Sequence, residues 1–331
     1  MVDAMRRAAE QPCGFELRED PVVCQLEEYA AEIIGKEDAL FVPTCTMANQ
    51  IALHLHCRQG ELFLTEANAH VVTSESAAPA ALTGAMPKLL AAEAGAIDLD
   101  DLRDTLAPGD AQRPRAAMVV QENTHVRSGG RVVPFAHIRA ASEIARSHGV
   151  PVHIDGARIF NAAISLAIDA RDLAAQCSTV AFNLNKGLGA PLGAILAGSK
   201  KVIAEAVRVR QMFGGGWRPA GIPAAAGIVA LDTMIERLHD DHRHARQLAS
   251  GLASMAGLHV DVHKVESNIV LARPTSMTPS ALAADLAQHG VRVLPFGNHV
   301  RLVTHHEITP PGVRTTLTAF HAVLNGARHG S

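Results

Sequence analysis

Two short apolar strands, each ending in a chemically active side chain, constrain the fold of this chain more than any other feature of its sequence. Residues 150–154 lead into Asp155 and a glycine, and residues 179–184 lead into Asn185, Lys186 and another glycine. The two strand ends are about thirty residues apart, which suits one crossover connection between neighbouring parallel strands. Because parallel strands end at the same edge of a sheet, the sequence predicts an α/β fold with the acid and the amine at one rim.

This acid and this amine together suit the chemistry of pyridoxal 5′-phosphate (PLP). A lysine amine forms the Schiff base that attaches the cofactor, and a carboxylate keeps the pyridine nitrogen protonated so that the ring accepts electrons. Lys186 and Asp155 are the candidates for these two roles. The sequence therefore predicts a PLP-dependent enzyme.

The length of 331 residues favours one large domain and one smaller domain. We predict a large cofactor-binding domain over residues 1–240, which includes the amino-terminal segment, and a small carboxyl-terminal domain over 241–331. Residues 190–197 are expected to cross the large sheet antiparallel, and 222–253 to form one long helical stretch. In the small domain the patterns predict strands at 258–262, 268–272, 291–294 and 300–303, helices at 279–289 and 311–324, and a frayed tail over 325–331.

Charge and aromatic content exclude several classes of partner. The formal net charge is −3, which argues against a general nucleic-acid or membrane-surface partner. Aromatic residues make up only 3% of the chain, too few for the stacking platforms that bind single-stranded nucleic acid. A small-molecule amino acid substrate is the expected partner.

Cysteine and histidine usage bears on location and metal binding. The five cysteines form no CxxC pair, which is typical of reduced thiols in a cytoplasmic protein. The sequence contains no run of about eighteen apolar residues, so no membrane span is expected. Its eighteen histidines occur without an HExxH motif or a Cys/His cluster, and we therefore expect no metal site.

Three motifs resemble those of the threonine aldolase family, which belongs to the β-eliminating lyase superfamily. They are DGAR at Asp155–Arg158, NKGLGAP at Asn185–Pro191 and GGGWRPAG at Gly214–Gly221, within a resemblance that runs from about residue 5 to about residue 324. It implies the fold type I, PLP-dependent transferase-like architecture, with a large mixed-sheet α/β domain and a smaller α/β domain. It also implies cleavage of β-hydroxy-α-amino acids, of the threonine or allo-threonine type, to glycine and an aldehyde.

The resemblance further implies which residues bind the cofactor. Thr44-Cys45-Thr46 stands where the family has Ser-Gly-Thr, at a helix amino terminus suited to a phosphate. Arg218 matches an arginine that binds the phosphate, often across a subunit interface, and His70 matches the histidine that stacks on the ring. The implied cofactor-binding residues are Thr44, Cys45, Thr46, His70, Asp155, Arg158, Lys186 and Arg218.

Catalytic and substrate-binding roles follow in the same way. Arg158 and Arg301 would grip the substrate carboxylate, since a planar guanidinium suits bidentate binding. His125, or His70 through a water, would take the β-hydroxyl proton as a neutral imidazole. The implied catalytic residues are Lys186, His125, His70 and Asp155, and the implied substrate-binding residues are Arg158, Arg301 and His125.

The chain departs from the family pattern at the amino-terminal turn and near the phosphate site. Leu17-Arg18 replaces the usual Tyr-Gly before the acidic-proline turn, and Gln211 replaces a second cation that some relatives carry. Relatives form homodimers or homotetramers with active sites at the subunit interface, and the resemblance implies the same assembly here.

Two other functions remain open from the sequence. Another PLP lyase, a racemase or an aminotransferase could use the same lysine, aspartate and arginine frame. A catalytically inactive assembly subunit is the third reading, against which the intact Lys186 and Asp155 argue. The products, or the lack of a visible PLP absorption band, separate these readings.

Overall fold

The computed structural model describes residues 1–109 and 111–329, which form two compact units. The first unit joins residues 1–127 to 132–235, and the second joins 128–131 to the chain from Glu236 onward. Within the described residues, no helix is both long enough and apolar enough to cross a membrane.

A large mixed sheet organises the first unit. In the described part of the chain its seven strands follow the order β1-β9-β8-β7-β6-β2-β3, and β9 runs antiparallel to both of its neighbours. The remaining strands share one direction, which confirms the mixed α/β sheet and the antiparallel strand predicted at 190–197. The strands of this unit are β1 Asp38–Val42, β2 Leu62–Glu66, β3 Met86–Leu90, β4 Ala92–Glu93, β5 Ala96–Ile97, β6 Ala116–Glu122, β7 Val152–Asp155, β8 Thr179–Asn183 and β9 Ala194–Gly198.

Helices accompany this sheet, and several of them begin at a residue whose side chain accepts hydrogen bonds from the first turn. The Asp20 carboxylate accepts hydrogen bonds from two backbone amides of the first turn of α2, and Gly35 ends that helix with a φ of 71°. The helices of this unit are α1 Val2–Ala9, α2 Pro21–Ile34, α3 Cys45–His56, α4 His70–Thr73, α5 Leu99–Leu106, α6 Phe135–Ser147, α7 Ile159–Leu166, α8 Ala170–Ala174, α9 Lys200–Met212 and α10 Gly221–Thr233, with a π-helical turn at Pro79–Thr83.

The second unit is built on a four-stranded antiparallel sheet in the order β10-β11-β13-β12. Its apolar core lies between this sheet and the helices of the unit. The elements are α11 Leu238–Ala253, β10 Leu258–His259, a 3₁₀ turn Val262–Lys264, β11 Ile269–Pro274, α12 Pro279–Gln288, β12 Leu294–Phe296, β13 His299–Val303 and α13 Pro310–His329.

Several predicted boundaries were wrong; the strand predicted at 258–262, for example, ends at His259, and a 3₁₀ turn covers Val262–Lys264. The stretch 222–253 is two helices, and the acidic pair Asp240 and Asp241 in the first turn of α11 favours a new start there. The strand predicted at 291–294 begins at Leu294, and Pro295 is accommodated because β12 is an edge strand. The tail expected to fray from residue 325 continues as α13 to His329, and residues 330 and 331 lie outside the described residues.

A buried charge network holds the turn before α2. Arg18 occupies the family's glycine position with a φ of 59°. Its guanidinium donates to Glu27 Oε2 at 2.8 Å and to both carboxylate oxygens of Asp38. Glu27 is fully buried, and its Oε1 accepts from the Phe41 amide at 2.8 Å and lies 3.6 Å from Arg210 Nη1. Arg18 is therefore the closest positive charge to Glu27, at a backbone conformation that costs a non-glycine residue free energy.

An Arg18→Ala variant should lower the free energy of unfolding by about 3 kcal/mol, because it leaves Glu27 buried with only the more distant Arg210. Burial raises the pKa of Glu27. A raised folded-state pKa means that protonation of Glu27 favours the folded protein. The loss of unfolding free energy caused by Arg18→Ala should therefore be largest near neutral pH and shrink as the pH falls through that pKa. Urea unfolding at pH 8 and pH 5 measures this. Arg115→Ala, which breaks an exposed pair with Glu61, is the matched control and should cost under about 1 kcal/mol.

Candidate active site

The carboxyl ends of the parallel strands bring most of the predicted site residues of the first unit to one rim. β6, β7 and β8 are consecutive parallel neighbours, with Asp155 paired to Glu122 on one side and to Ala181 on the other. Lys186 follows the end of β8 by three residues. The predicted parallel neighbourhood of the acid strand and the amine strand is therefore confirmed.

Lys186 is half-buried at this rim. Burial lowers the pKa of its amine, and the nearby positive charge of Arg158 lowers it further, against the opposing effects of Cys45, Asp155 and Glu122. A lowered pKa increases the neutral fraction of the amine, which is the nucleophilic form. The surroundings of Lys186 therefore favour attack on a carbonyl carbon.

Asp155 lies almost fully buried at the end of β7. Its Oδ2 accepts from Asn49 Nδ2 at 2.8 Å, and its Oδ1 accepts from the Ala157 amide at 3.2 Å. The Cys45 thiol lies 3.9 Å from Oδ1, and burial together with the charge of Asp155 raises the thiol pKa well above its ordinary value. The raised pKa favours the neutral thiol form of Cys45, and the hydrogen bonds from Asn49 and Ala157 fix the position of the Asp155 carboxylate.

His70, the first residue of α4, is oriented by Glu75. Its Nδ1 lies 2.9 Å from Glu75 Oε1, and this carboxylate also accepts from Asn49 at 2.8 Å and from Gln50 at 2.6 Å. The hydrogen bond to Glu75 raises the pKa of His70, with help from the charge of Asp155 and against the effect of burial. Within residues 1–109 and 111–329, no hydrogen bond engages His70 Nε2. His70 thus holds a proton on Nδ1 and presents Nε2 as a lone pair when neutral.

Ligand atoms of His70, Glu75 and Asp155 lie within 4.8 Å of one another, a spacing that a metal ion could use. In this structure the side-chain amide of Asn49 donates to both carboxylates of that group. Hydrogen bonds therefore already satisfy the oxygens that would face a metal ion, and the arrangement is that of a hydrogen-bond network.

His125 lies in a different environment, 3% exposed, three residues after the end of β6. Its Nε2 lies 2.8 Å from Glu66 Oε1. Burial acts to lower the pKa of His125, but the hydrogen bond to Glu66, the charge of Glu122 and a hydrogen bond to the backbone of Asn68 outweigh it, so the pKa is raised. Acceptors on two sides of the ring favour the doubly protonated imidazolium.

The remaining predicted residues of the first unit are spread over three segments. Thr44 is the N-cap of α3 and accepts from the Met47 amide at 3.1 Å, which places residues 44–46 at a helix amino terminus on the same rim. Arg158 precedes α7, close enough to Lys186 for its charge to lower that pKa. Arg218 lies exposed on the surface, where it donates to the Phe15 carbonyl at 3.0 Å and stacks on the Phe15 ring.

Arg301 belongs to the second unit and lies on β13. Its guanidinium carbon is 5.1 Å from the centre of the Phe296 ring. Within its own sheet it pairs with Leu271 on one side and Leu294 on the other.

Sequence reasoning missed the polar partners of these residues. Glu66 ends β2 as Asp155 ends β7, so the same strand-end argument could have found it. Asn49 lies inside α3 and Glu75 follows α4, and neither position carries a local signal in the sequence. Their contribution is visible only where the elements pack.

Comparison with known proteins supports the resemblance. The profile of the β-eliminating lyase family matches residues 1–275. Low-specificity L-threonine aldolase 1 of Arabidopsis thaliana is 37% identical over 97% of this chain and 93% of its own length. The low specificity L-threonine aldolase of Escherichia coli K12 is 36% identical over 93% of this chain and 90% of its own.

Solved structures agree on the fold. A putative L-allo-threonine aldolase from Listeria monocytogenes superposes with a TM-score of 0.81 at 20% identity, covering 97% of this chain and 93% of its own. The threonine aldolase of Leishmania major superposes with a TM-score of 0.82 at 18% identity, covering 98% of this chain and 96% of its own. With the profile, the curated relatives and the fold in agreement, this chain belongs to the threonine aldolases of the β-eliminating lyase family.

Proposed function

We propose that this protein is a PLP-dependent lyase that cleaves β-hydroxy-α-amino acids of the threonine and allo-threonine type to glycine and an aldehyde. The observation that carries the proposal is the rim that joins Lys186, Asp155 and His70 in one connected set of charges and hydrogen bonds. The names of its curated relatives, low-specificity L-threonine aldolases, support the substrate class.

The residues at the rim fit PLP. A half-buried amine of lowered pKa suits covalent attachment, and the buried carboxyl group of Asp155 suits a protonated pyridine nitrogen. The amino terminus of α3 at residues 44–46 offers backbone N–H groups to the phosphate. When bound, PLP supplies an electron sink for the bond that breaks at Cα. We assign Arg218 to the phosphate of a neighbouring subunit, because in this chain it lies on the surface.

Arg158 and Arg301 are assigned to the substrate carboxylate. Arg158 lies near Lys186, where a carboxylate on the amino acid would meet both positive charges. Arg301 takes this role from the family motif Arg-x-Val-Thr-His that it shares. Fixing the carboxylate orients the Cα–Cβ bond, and orientation decides which bond breaks.

His70 is the better candidate for the base that takes the β-hydroxyl proton. A base needs a lone pair, and His70 has Nε2 available while Glu75 holds its Nδ1 proton. His125 faces acceptors on two sides, and these acceptors raise its pKa, so it suits a donor that stabilises the developing negative oxygen. The aldehyde then leaves, and glycine remains.

Substitution of the two histidines should separate these roles. His70→Phe should lower kcat by roughly 10² or more if His70 is the base. In the wild type, the acid limb of the plot of kcat against pH should lie above the ordinary histidine pKa of 6.5. The sign follows because the base must be neutral, so activity rises as the pH passes upward through the raised pKa. A wild-type limb that His125→Phe removes while His70→Phe leaves it in place would reverse the assignment.

The direct test of the function is product analysis. Purified protein with PLP should release an aldehyde and glycine from threonine and from phenylserine. Ammonia with a keto acid would instead identify a β-eliminating lyase or aminotransferase, and inversion at Cα a racemase. Bound PLP with no aldehyde from either substrate would defeat the proposal, and a protein that binds no PLP would be the inactive assembly subunit.

Two further features are proposed with this function. We place the enzyme in the cytoplasm, on the pattern of its scattered free cysteines. We also propose a homodimer or homotetramer with active sites at the interface, which gives the exposed Arg218 a phosphate to bind. The division into domains 1–240 and 241–331 goes with this proposal.

A further inference from the structure

Three polar side chains are buried behind Asp155, and the proposed reaction uses none of them. Asn49, His153 and Thr179 are at most 1% exposed, and they lie on α3, β7 and β8 respectively. Burying polar groups costs free energy unless their hydrogen bonds are made. These three side chains therefore need hydrogen-bond partners inside the core.

Their hydrogen bonds form a chain with a defined direction. Asn49 Nδ2 lies 2.8 Å from Asp155 Oδ2 and 2.8 Å from Glu75 Oε1, so both of its N–H groups donate to carboxylates. Asn49 Oδ1 must then accept, and it lies 3.0 Å from His153 Nε2. The reversed amide would turn its oxygen toward two carboxylates and is excluded by repulsion.

This direction fixes the tautomer of His153. Its proton is on Nε2, and Nδ1 accepts from the Thr179 hydroxyl at 2.9 Å. Burial lowers the pKa of His153 to about 4, so the ring stays neutral and carries one proton. A neutral, singly protonated ring is the form that can donate to Asn49 while accepting from Thr179.

We propose that Asn49, oriented by His153, is a positioning residue that holds the Asp155 carboxylate in place for its contact with the cofactor ring. The proposal rests on the function proposed above, in which Asp155 partners the pyridine nitrogen. The 2.8 Å hydrogen bond from Asn49 Nδ2 fixes Oδ2 of this buried carboxylate. Loss of that donor leaves the buried oxygen without this partner and weakens its contact with the ring.

Other groups also face Asp155, and they stay unchanged in the test. The Cys45 thiol and the Ala157 amide lie against Oδ1, while the charges of Lys186, Glu122 and His70 act on the same carboxylate. The test replaces only Asn49 or His153, so it probes the Asn49–His153–Thr179 hydrogen-bond chain and leaves these other groups in place.

The test measures the dissociation constant of PLP from the full-length protein without substrate, between pH 8 and pH 5. Asn49→Ala should weaken binding roughly 10-fold or more, since a hydrogen bond to a charged group is lost. Ser142→Ala, a buried serine on α6, is the control and should match wild type.

Two variants of His153 separate orientation from packing. His153→Gln keeps an N–H donor for Asn49 and should bind PLP nearly as wild type does, whereas His153→Phe should reproduce the loss of affinity expected for Asn49→Ala. Equal losses in both variants, or an Asn49→Ala protein with the wild-type constant at every pH, would overturn the proposal. If Asn49→Ala does not fold, the His153 pair decides. The PLP dissociation constant is measured without substrate, so its outcome does not depend on whether the protein cleaves threonine.

Discussion

A Lys186→Ala variant is expected to lose threonine cleavage by at least about 10³-fold and to lose the covalent attachment of PLP altogether. The reason is that the described rim offers one amine whose pKa burial and a neighbouring arginine both lower, and no other lysine of the described chain shares that surrounding. Borohydride reduction followed by peptide mapping should label Lys186 in the wild type and label nothing in the variant.

The control is Lys201→Ala, which removes an exposed lysine on α9 and should leave activity and labelling unchanged. Label on another lysine of the wild-type protein would contradict the assignment. Full activity of Lys186→Ala would do so as well.

An Asp155→Asn variant should lower kcat roughly 10³-fold, because a neutral amide of the same shape cannot hold the ring nitrogen protonated. Asp155 lies almost fully buried with its oxygens held by Asn49 and by the Ala157 amide, so the substitution removes a charge at a fixed position. We expect PLP to remain bound through Lys186 while its visible absorption changes.

Asp169→Asn is the control, since Asp169 is an exposed cap of α8 far along the chain from the strand end. Steady-state kinetics and absorption spectra across pH compare the three proteins. An Asp155→Asn enzyme that keeps the wild-type kcat would remove the electron-sink role from this carboxylate.

The Asn49–His153–Thr179 hydrogen-bond chain and the proposed base His70 belong to one connected network at the rim. Asn49 donates to Asp155, the proposed partner of the cofactor ring, and to Glu75, which orients His70. One amide group therefore connects the proposed ring partner to the carboxylate that orients the proposed base. A change at either carboxylate is expected to alter the other through this shared donor.

The sequence predicted the small unit less well than the large one, for local reasons. Residues 234–237 contain neither glycine nor proline, so the sequence carries no local signal for the break between α10 and α11. β12 begins at Leu294 and not at the predicted residue 291, because pairing with β13 decides where an edge strand begins. Element type was correct in each case, and the boundaries were not.

What the sequence determined by itself was the set of strand ends and the residues placed on them. An apolar strand followed by a glycine-rich turn is encoded locally, so Asp155 and Lys186 could be assigned to one rim, and the motifs around them identified the family. Tertiary structure alone decided which groups surround them. Asn49 meets Asp155 across 106 residues of chain and Glu66 meets His125 across 59, and no local pattern records contacts at such separations. The Glu66 contact raises the pKa of His125, because a carboxylate opposite the ring favours its protonated form.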